Sequence, residues 1–294
     1  MEKDVLSFYL KAGETARKAV ELTRRSLKEG VSALDVVMGI ESLIREEGCA
    51  PAFPVNISID ADAAHFTPVP GDDVIFRAGQ VVKVDIGVHC NGYIADTAVT
   101  LEISTSTWKK LIEAAEEALT RALALIRAGT PIGMLSEVIE TTIRSAGYKP
   151  VENLTGHYLG RYLIHAGGNI PNVRGAASGI LREGDVIAIE PFATPGAGRI
   201  KGTRFGNIYR IREPKGEVSP DLQRVYDDLR SRFSTLPFTL RWAPEMDPGS
   251  LSQLLRKQLL MRYPVLTEER RGIVSQAEHS AIVTREGAIV YTRD

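Results

Sequence analysis

Two stretches of the chain are near copies of one another, and this repeat narrows the folds open to it more than any other feature. Arg77-Ala-Gly-Gln-Val-Val-Lys-Val-Asp85 and Arg182-Glu-Gly-Asp-Val-Ile-Ala-Ile-Glu190 share the pattern Arg-x-Gly-x-Val-apolar-x-apolar-acid. Each offers a glycine turn, a short β-rich run and a carboxylate six residues after the glycine. A common turn into a strand accounts for the glycine, which supplies backbone angles other residues avoid. The matched acids go further. A supersecondary unit used twice can face its own copy across a pseudo-twofold axis, and both carboxylates then arrive at one central site from opposite halves.

Around Asp85 the pattern sharpens. Val81 to Val88 is apolar with one interior carboxylate, Cys90-Asn-Gly-Tyr93 follows, and Ile94-Ala-Asp-Thr-Ala-Val-Thr-Leu101 is again β-rich. Asn-Gly between two such runs predicts a two-residue type I′ hairpin. Cys90 then pairs with Tyr93 and Gly87 lies opposite Asp96, which puts Asp85 and Asp96 on one face as diagonal neighbours, roughly 7–8 Å apart at Cα. Two carboxylates on a buried face repel unless a cation or a proton compensates. A register slip of one residue would instead give a solvent-facing acidic pair.

Of the five histidines, His65, His157 and His165 lie in non-helical, loop-like contexts. A histidine taken singly is most often a satisfied core or surface residue. Their company here is four carboxylates, Asp85, Asp96, Glu190 and Glu278. His89 has a weaker claim, and so has His279, which follows Glu278 directly and in a strand points to the opposite face.

In these motifs the chain resembles the type 2 methionine aminopeptidases, the archaeal and eukaryotic class, and the likeness runs through nearly its whole length. It rests on Ala52-Phe-Pro-Val-Asn-Ile-Ser-Ile-Asp60 with Ala64-His-Phe-Thr-Pro68, Val84-Asp-Ile-Gly-Val88 with Asp96, Gly156-His157, Ile164-His-Ala-Gly167, Ile189-Glu-Pro-Phe-Ala193 and Gln276-Ala-Glu-His279, in that order. The resemblance implies the α+β pita-bread fold: a pseudo-twofold, curved antiparallel sheet flanked by helices. It also implies removal of N-terminal methionine from peptides and nascent proteins, with a small second residue preferred.

The family's roles carry over position by position. Asp85 is expected to chelate one metal, Asp96 and Glu278 to bridge two, and His157 with Glu190 to complete the second site, Glu190 serving also as general base. His65 and His165 match the two non-ligand histidines that meet the substrate and the tetrahedral intermediate. Phe53, Ile164, Phe192 and Tyr263 match the methionine pocket. Ala277 departs from the family, where an aromatic often precedes the last glutamate, and the stretch from Gly196 to Arg210 matches no family residue. Four carboxylates and one imidazole suit Mn²⁺, Fe²⁺, Co²⁺ or Zn²⁺. Two such ions, roughly 3.5–4 Å apart, lower the pKa of a bridging water toward about 7 and make it the expected nucleophile.

The long interval between Glu190 and Glu278 matches the type 2 class. Asp221 to Phe233 and Ser250 to Met261 carry helix-like periodicity, so 196–268 is expected as a helical insert within a catalytic domain of 1–195 and 269–294. Further helices are expected at Glu2–Lys28, Ser32–Glu47, Thr107–Arg127 and Met134–Ala146, with Ser32 as an N-cap and strands carrying the ligands.

Of 294 residues, 44% are hydrophobic and 25% charged, enough for a full core, and a net charge of −1 offers no general attraction to nucleic acid or membrane. Cys49 and Cys90 are too few for a disulfide framework and are expected reduced. The N-terminus has no secretory pattern. The expectation is a cytoplasmic monomer without an anchor, acting on peptide and nascent-protein N-termini, with a ribosome contact as a further partner. Two alternatives are a prolidase or creatinase relative, which usually has a sizeable extra domain before the first aspartate, and a proliferation-associated binding module that has lost its ligands. Here 84 residues precede Asp85 and all five ligand positions are intact.

Overall fold

Both copies of the repeated segment enter their strands through the same turn. In a computed structural model of the chain, Gly79 and Gly184 sit at φ of 81° and 89°, a region that strains residues with a Cβ. The Arg77 amide donates to the side-chain oxygen of Gln80 at 2.8 Å, and the Arg182 amide to the Asp185 carboxylate at 2.7 Å. The Gly79 and Gly184 amides then donate to Ile103 and Val283, at 2.8 and 2.9 Å, and so fix where each strand meets its antiparallel partner.

The structure describes residues 1–175, 178–214, 216 and 218–293. Residues 215 and 217 of the expected insert, and 176, 177 and 294 of the expected catalytic domain, lie outside the described residues.

The first half runs α1 (Lys3–Ser26), α2 (Ala33–Glu46), β1 (Ala50–Pro51), β2 (Asn56–Ile59), β3 (Asp62–Ala64), β4 (Val81–Cys90) and β5 (Tyr93–Glu102). The second half follows with α3 (Lys109–Leu123), α4 (Ile132–Ser145), β6 (Lys149–Pro150), β7 (Thr155–Tyr158), β8 (Asn169–Pro171), β9 (Val186–Ile189) and β10 (Phe192–Thr194). Next come β11 (Ile200–Ile211), α5 (Pro220–Phe233), α6 (Pro248–Arg256) and β12 (Leu260–Glu268), and the chain closes with β13 (Ser275–Gln276), β14 (His279–Val283) and β15 (Ala288–Val290). The strand pairings are antiparallel.

Each half has its own core. Small residues on α1, including Ala12, Ala16 and Ala19, let that helix lie close against β4 and β5, while α3 and α4 cover β9 and its neighbours with Leu111, Ala115, Leu135 and Ile139. The halves correspond in detail. Gly30 and Gly129 precede α2 and α4 at positive φ, and their amides donate to Phe76 and Leu181 at 2.9 and 2.8 Å. The expected pita-bread architecture is therefore present, together with its helical insert.

The expected helices form within a few residues of their predicted ends, and Ser32 caps α2 by accepting from the Asp35 amide. The last one is shorter than its periodicity predicts. Gln258 takes φ of 58°, the helix stops at Arg256, and Leu260 and Met261 begin a strand. The unmatched stretch from Gly196, which reads as turn-rich, becomes the long strand β11 from Ile200, paired with β12, and β12 in turn pairs with β3. The insert's helices thus sit on a strand pair that β3 of the first half extends into a three-stranded sheet.

Two further expectations are corrected. Cys49 and Cys90 are joined in a disulfide, with Cα atoms 4.8 Å apart, because β1 lies along β4 with Ala50 opposite His89. The strands also do not carry every ligand: Glu190 falls between β9 and β10, and Glu278 between β13 and β14.

Glu268 locks the insert's strands to the rest. Its fully buried carboxylate accepts from the amides of Ala197, Gly198 (3.1 Å), Arg270 (2.7 Å) and Gly272 (2.9 Å). A Cβ on Gly196 would stand 2.4 Å from its Cδ, so the loop has no room for another side chain. Glu268→Gln turns an NH2 group toward backbone donors and is expected to cost about 2–4 kcal/mol in urea unfolding. A loss below about 0.5 kcal/mol would show that this clamp does not hold the loop.

Candidate metal centre

The hairpin between β4 and β5 forms in the expected register. Asn91 and Gly92 have φ of 53° and 86°, both positive as a type I′ turn requires, Cys90 pairs with Tyr93, and Gly87 with Asp96. Asp85 and Asp96 consequently share a face. The second half supplies the rest: His157 on β7 pairs with Ala188 of β9, and Glu190 follows two residues later.

Glu278 is placed by a seam between the halves. It forms a bridge with Ala98, their amides donating to each other's carbonyls at 3.2 and 3.3 Å. Thr97 Oγ1 donates to the Glu278 carbonyl at 2.8 Å, the Asp96 amide to Ser280 Oγ at 2.9 Å, and Ser280 Oγ to the Asp96 carbonyl at 2.8 Å. His279 turns the other way, toward Thr97 and Thr292 hydroxyls.

The five side chains meet in one cavity of about 210 Å³, which Phe53, His65, Ile164, His165, Phe192 and Tyr263 also line. All eleven residues singled out in the sequence are therefore together. Asp96, His157 and Glu278 can each turn one ligand atom toward a common point, these atoms lying within 4.8 Å of one another. His157 Nε2 stands 3.7 Å from both Asp96 Oδ2 and Glu190 Oε1. That is too long for hydrogen bonds, and close to the span between two atoms that each lie about 2.0–2.2 Å from a shared ion. Asp85 Oδ1, Asp96 Oδ1 and Glu278 Oε1 are buried without a hydrogen-bond partner. Orphaned acceptors of this kind fit a divalent cation.

Electrostatics agree. Burial pushes the Asp85 carboxyl up to about 7. Asp96, Glu190 and Glu278 are raised as well, by burial first and then by their neighbours' negative charge. Burial pushes His157 down to about 3 and His65 down to about 4, so both are neutral at pH 7, the form in which imidazole ligates metal. His165 is also lowered, by partial burial and then by the Arg210 charge.

His65 is held by a residue the sequence did not single out. It has φ of 66°, and its amide donates at 2.8 Å to Oδ1 of Asn56, which pairs with Asp85 in the sheet. The available signal is a lone amide side chain inside the run Val55-Asn-Ile57. The His65 ring meets Tyr263 edge-on at 5.0 Å, and the His157 and His165 rings stand 4.5 Å apart. Phe53 packs on Gly87, where a Cβ would come within 2.3 Å of the ring. His89 instead accepts from the Gly92 amide and lines a separate, larger groove that contains none of the five ligand candidates.

Residues 8–213 match the model of metallopeptidase family M24. Over its whole length the chain is 39% identical to the methionine aminopeptidase of Methanocaldococcus jannaschii, with 100% of both chains covered. Among solved structures it is similar to a methionine aminopeptidase from Thermotoga maritima, at TM-score 0.73 and 21% identity over 100% of this chain and 98% of that one. It is also similar to a thermophilic Arx1, at TM-score 0.84 and 17% identity over 99% and 91%. At those identities the two structures speak for the fold.

The raised carboxyl pKa values set the pH dependence of the metal-free protein. Between about 4, where the unfolded acids ionise, and about 7, where Asp85 does so in the fold, the unfolded chain gives up its protons first. Stability therefore falls as pH rises through that window. In thermal melts of chelator-treated protein, Tm should drop from pH 5 to pH 7.5, and Mn²⁺ should raise it by roughly 5 °C or more at pH 7.5 but less at pH 5, where protons compete. A larger metal shift at pH 5 would contradict the assignment.

Proposed function

The chain belongs to metallopeptidase family M24 and acts as a metal-dependent aminopeptidase that removes N-terminal methionine, and from that premise we propose how its residues divide the work. Asp85, Asp96, His157, Glu190 and Glu278 would hold two divalent ions, with Asp96 and Glu278 serving both. The three orphaned carboxylate oxygens in one buried cluster carry this reading. When bound, such ions supply Lewis acidity and an activated water at neutral pH. All five residues come from one chain, so the site needs no second subunit.

Phe53, Ile164, Phe192 and Tyr263 give the cavity mostly apolar walls, which suit the unbranched, polarizable methionine side chain. About 210 Å³ is small beside the 300–1,000 Å³ of typical ligand sites, so one residue fills it and only the first peptide bond reaches the acids. Glu190 takes the proton of the attacking water and returns it to the leaving amine. His65 and His165 donate hydrogen bonds to the scissile carbonyl oxygen as it gains negative charge. With its pKa near 4, His65 does this as a neutral donor, and Asn56 fixes its backbone for the task. We also divide the chain into a catalytic unit of 1–195 with 269–294 and an insert of 196–268. Tyr263 supports counting β12 as a wall of the site as well as a strand of the insert.

The substrate assignment is tested with metal-reconstituted protein, which should release methionine from Met-Ala-Ser and leave Xaa-Pro peptides intact; the reverse preference would favour a prolidase. Glu190→Gln should fold normally and lose roughly 10²-fold or more in kcat. Retention of a tenth of the wild-type rate would remove Glu190 from the role of base.

His65→Ala should lower kcat/KM by roughly 10²-fold, the effect of losing one transition-state donor, with metal content unchanged. Were His65 only packing its loop, thermal stability would fall while the kinetics stayed near normal.

A further inference from the structure

Beyond His165 the cavity adjoins a second hollow of about 430 Å³, with which it shares Ile164, His165, Pro237 and Tyr263. The separate large groove shares only Pro237 with the cavity and none of its histidines. A peptide whose first side chain fills the inner cavity therefore continues past His165 into the second hollow.

The charge of that hollow is one-sided. Arg210, Arg212, Arg230 and Glu213 line it, and Glu213 is taken up by Arg230 at 2.7 Å. Arg210 and Arg212 make no ion pair with a carboxylate among the described residues; Arg212 Nη2 instead meets Met261 Sδ at 3.1 Å. Arg210 is half-buried and lies near both Tyr263 and His165, at the junction of the two spaces. Both arginines follow from β11, since Arg210 and the neighbouring Ile211 pair with Met261 and Leu260 at the foot of the insert.

We propose that Arg210 and Arg212 form a carboxylate-reading subsite for the segment after the scissile bond, favouring peptides with acidic residues at the third and fourth positions. This rests on the aminopeptidase reading above and adds a substrate class to it. An extended peptide advances about 3.3 Å per residue, so residues just past the cleaved bond run along this wall. Cations at the rim of a site act mainly on encounter and affinity and weaken with salt. A terminal carboxylate of a short peptide presents the same chemistry as an acidic side chain.

The test compares C-terminally amidated Met-Ala-Asp-Asp-Gly and Met-Ala-Lys-Lys-Gly on the metal-loaded enzyme. The acidic peptide should be favoured roughly fivefold in kcat/KM at low salt, chiefly through KM, with the ratio falling toward one at about 0.5 M salt. The double variant Arg210→Gln/Arg212→Gln should bring the ratio to about one, whereas Arg285→Gln, the loss of one positive charge on an exposed residue elsewhere, should preserve it. Met-Ala-Ser as free acid against its amide reads the terminal carboxylate separately, and it too should favour the acid. Cleavage of all peptides with both ratios at one, or an acidic preference that survives the double variant, overturns this subsite alone. Failure to cleave any methionine peptide overturns the aminopeptidase reading and the subsite with it.

Discussion

Four carboxylates in one largely buried cluster repel one another, and the rest of the molecule is arranged to hold them there. No cationic side chain among the described residues offsets them: Lys83 is buried in the same sheet, yet its Nζ donates to the Asp60 carbonyl at 2.7 Å, and His157 is neutral at pH 7. Left alone, such a cluster keeps protons or opens. Divalent cations remove the conflict, since they lower the cost of ionising each acid and occupy its unpaired oxygens.

Holding the acids close requires rigid placement from both halves. Asp85 and Asp96 ride on a hairpin, Glu190 leaves β9 in the second copy of the repeated unit, and Glu278 is fixed by the seam that Ala98, Thr97 and Ser280 make across the pseudo-twofold. The same construction sets the walls. Gly87 leaves space for Phe53, Asn56 turns the backbone at His65, and the Glu268 clamp anchors β12, which carries Tyr263.

Local chemistry made much of this legible in the amino-acid sequence. Asn91-Gly92 dictates a turn type, the turn dictates register, and register puts Asp85 beside Asp96. The repeat around Gly79 and Gly184 exposed the two-part plan because glycine is needed at both turns. What stayed hidden depends on partners distant in sequence. The stretch after Gly196 is rich in glycine and charge, and it becomes a strand only because β12 pairs with it. Cys49 and Cys90 meet through the pairing of β1 with β4, which spacing alone does not reveal. Periodicity carried the last insert helix too far because Leu259 keeps the helical spacing although Gln258, at φ of 58°, lies beyond the helix end at Arg256. Asn56 lies in a quoted motif, yet its contact with the His65 amide comes only from the fold, as does the nearness of Arg210 to Tyr263 and His165.

The central claim is that these acids form a two-ion site, and anomalous diffraction from Mn²⁺-soaked crystals tests it most directly. The account predicts two peaks roughly 3.5–4 Å apart, enclosed by Asp85, Asp96, His157, Glu190 and Glu278, with Asp96 and Glu278 touching both. Data from well-occupied crystals with no peak among these five residues, or with manganese bound only elsewhere, would contradict it.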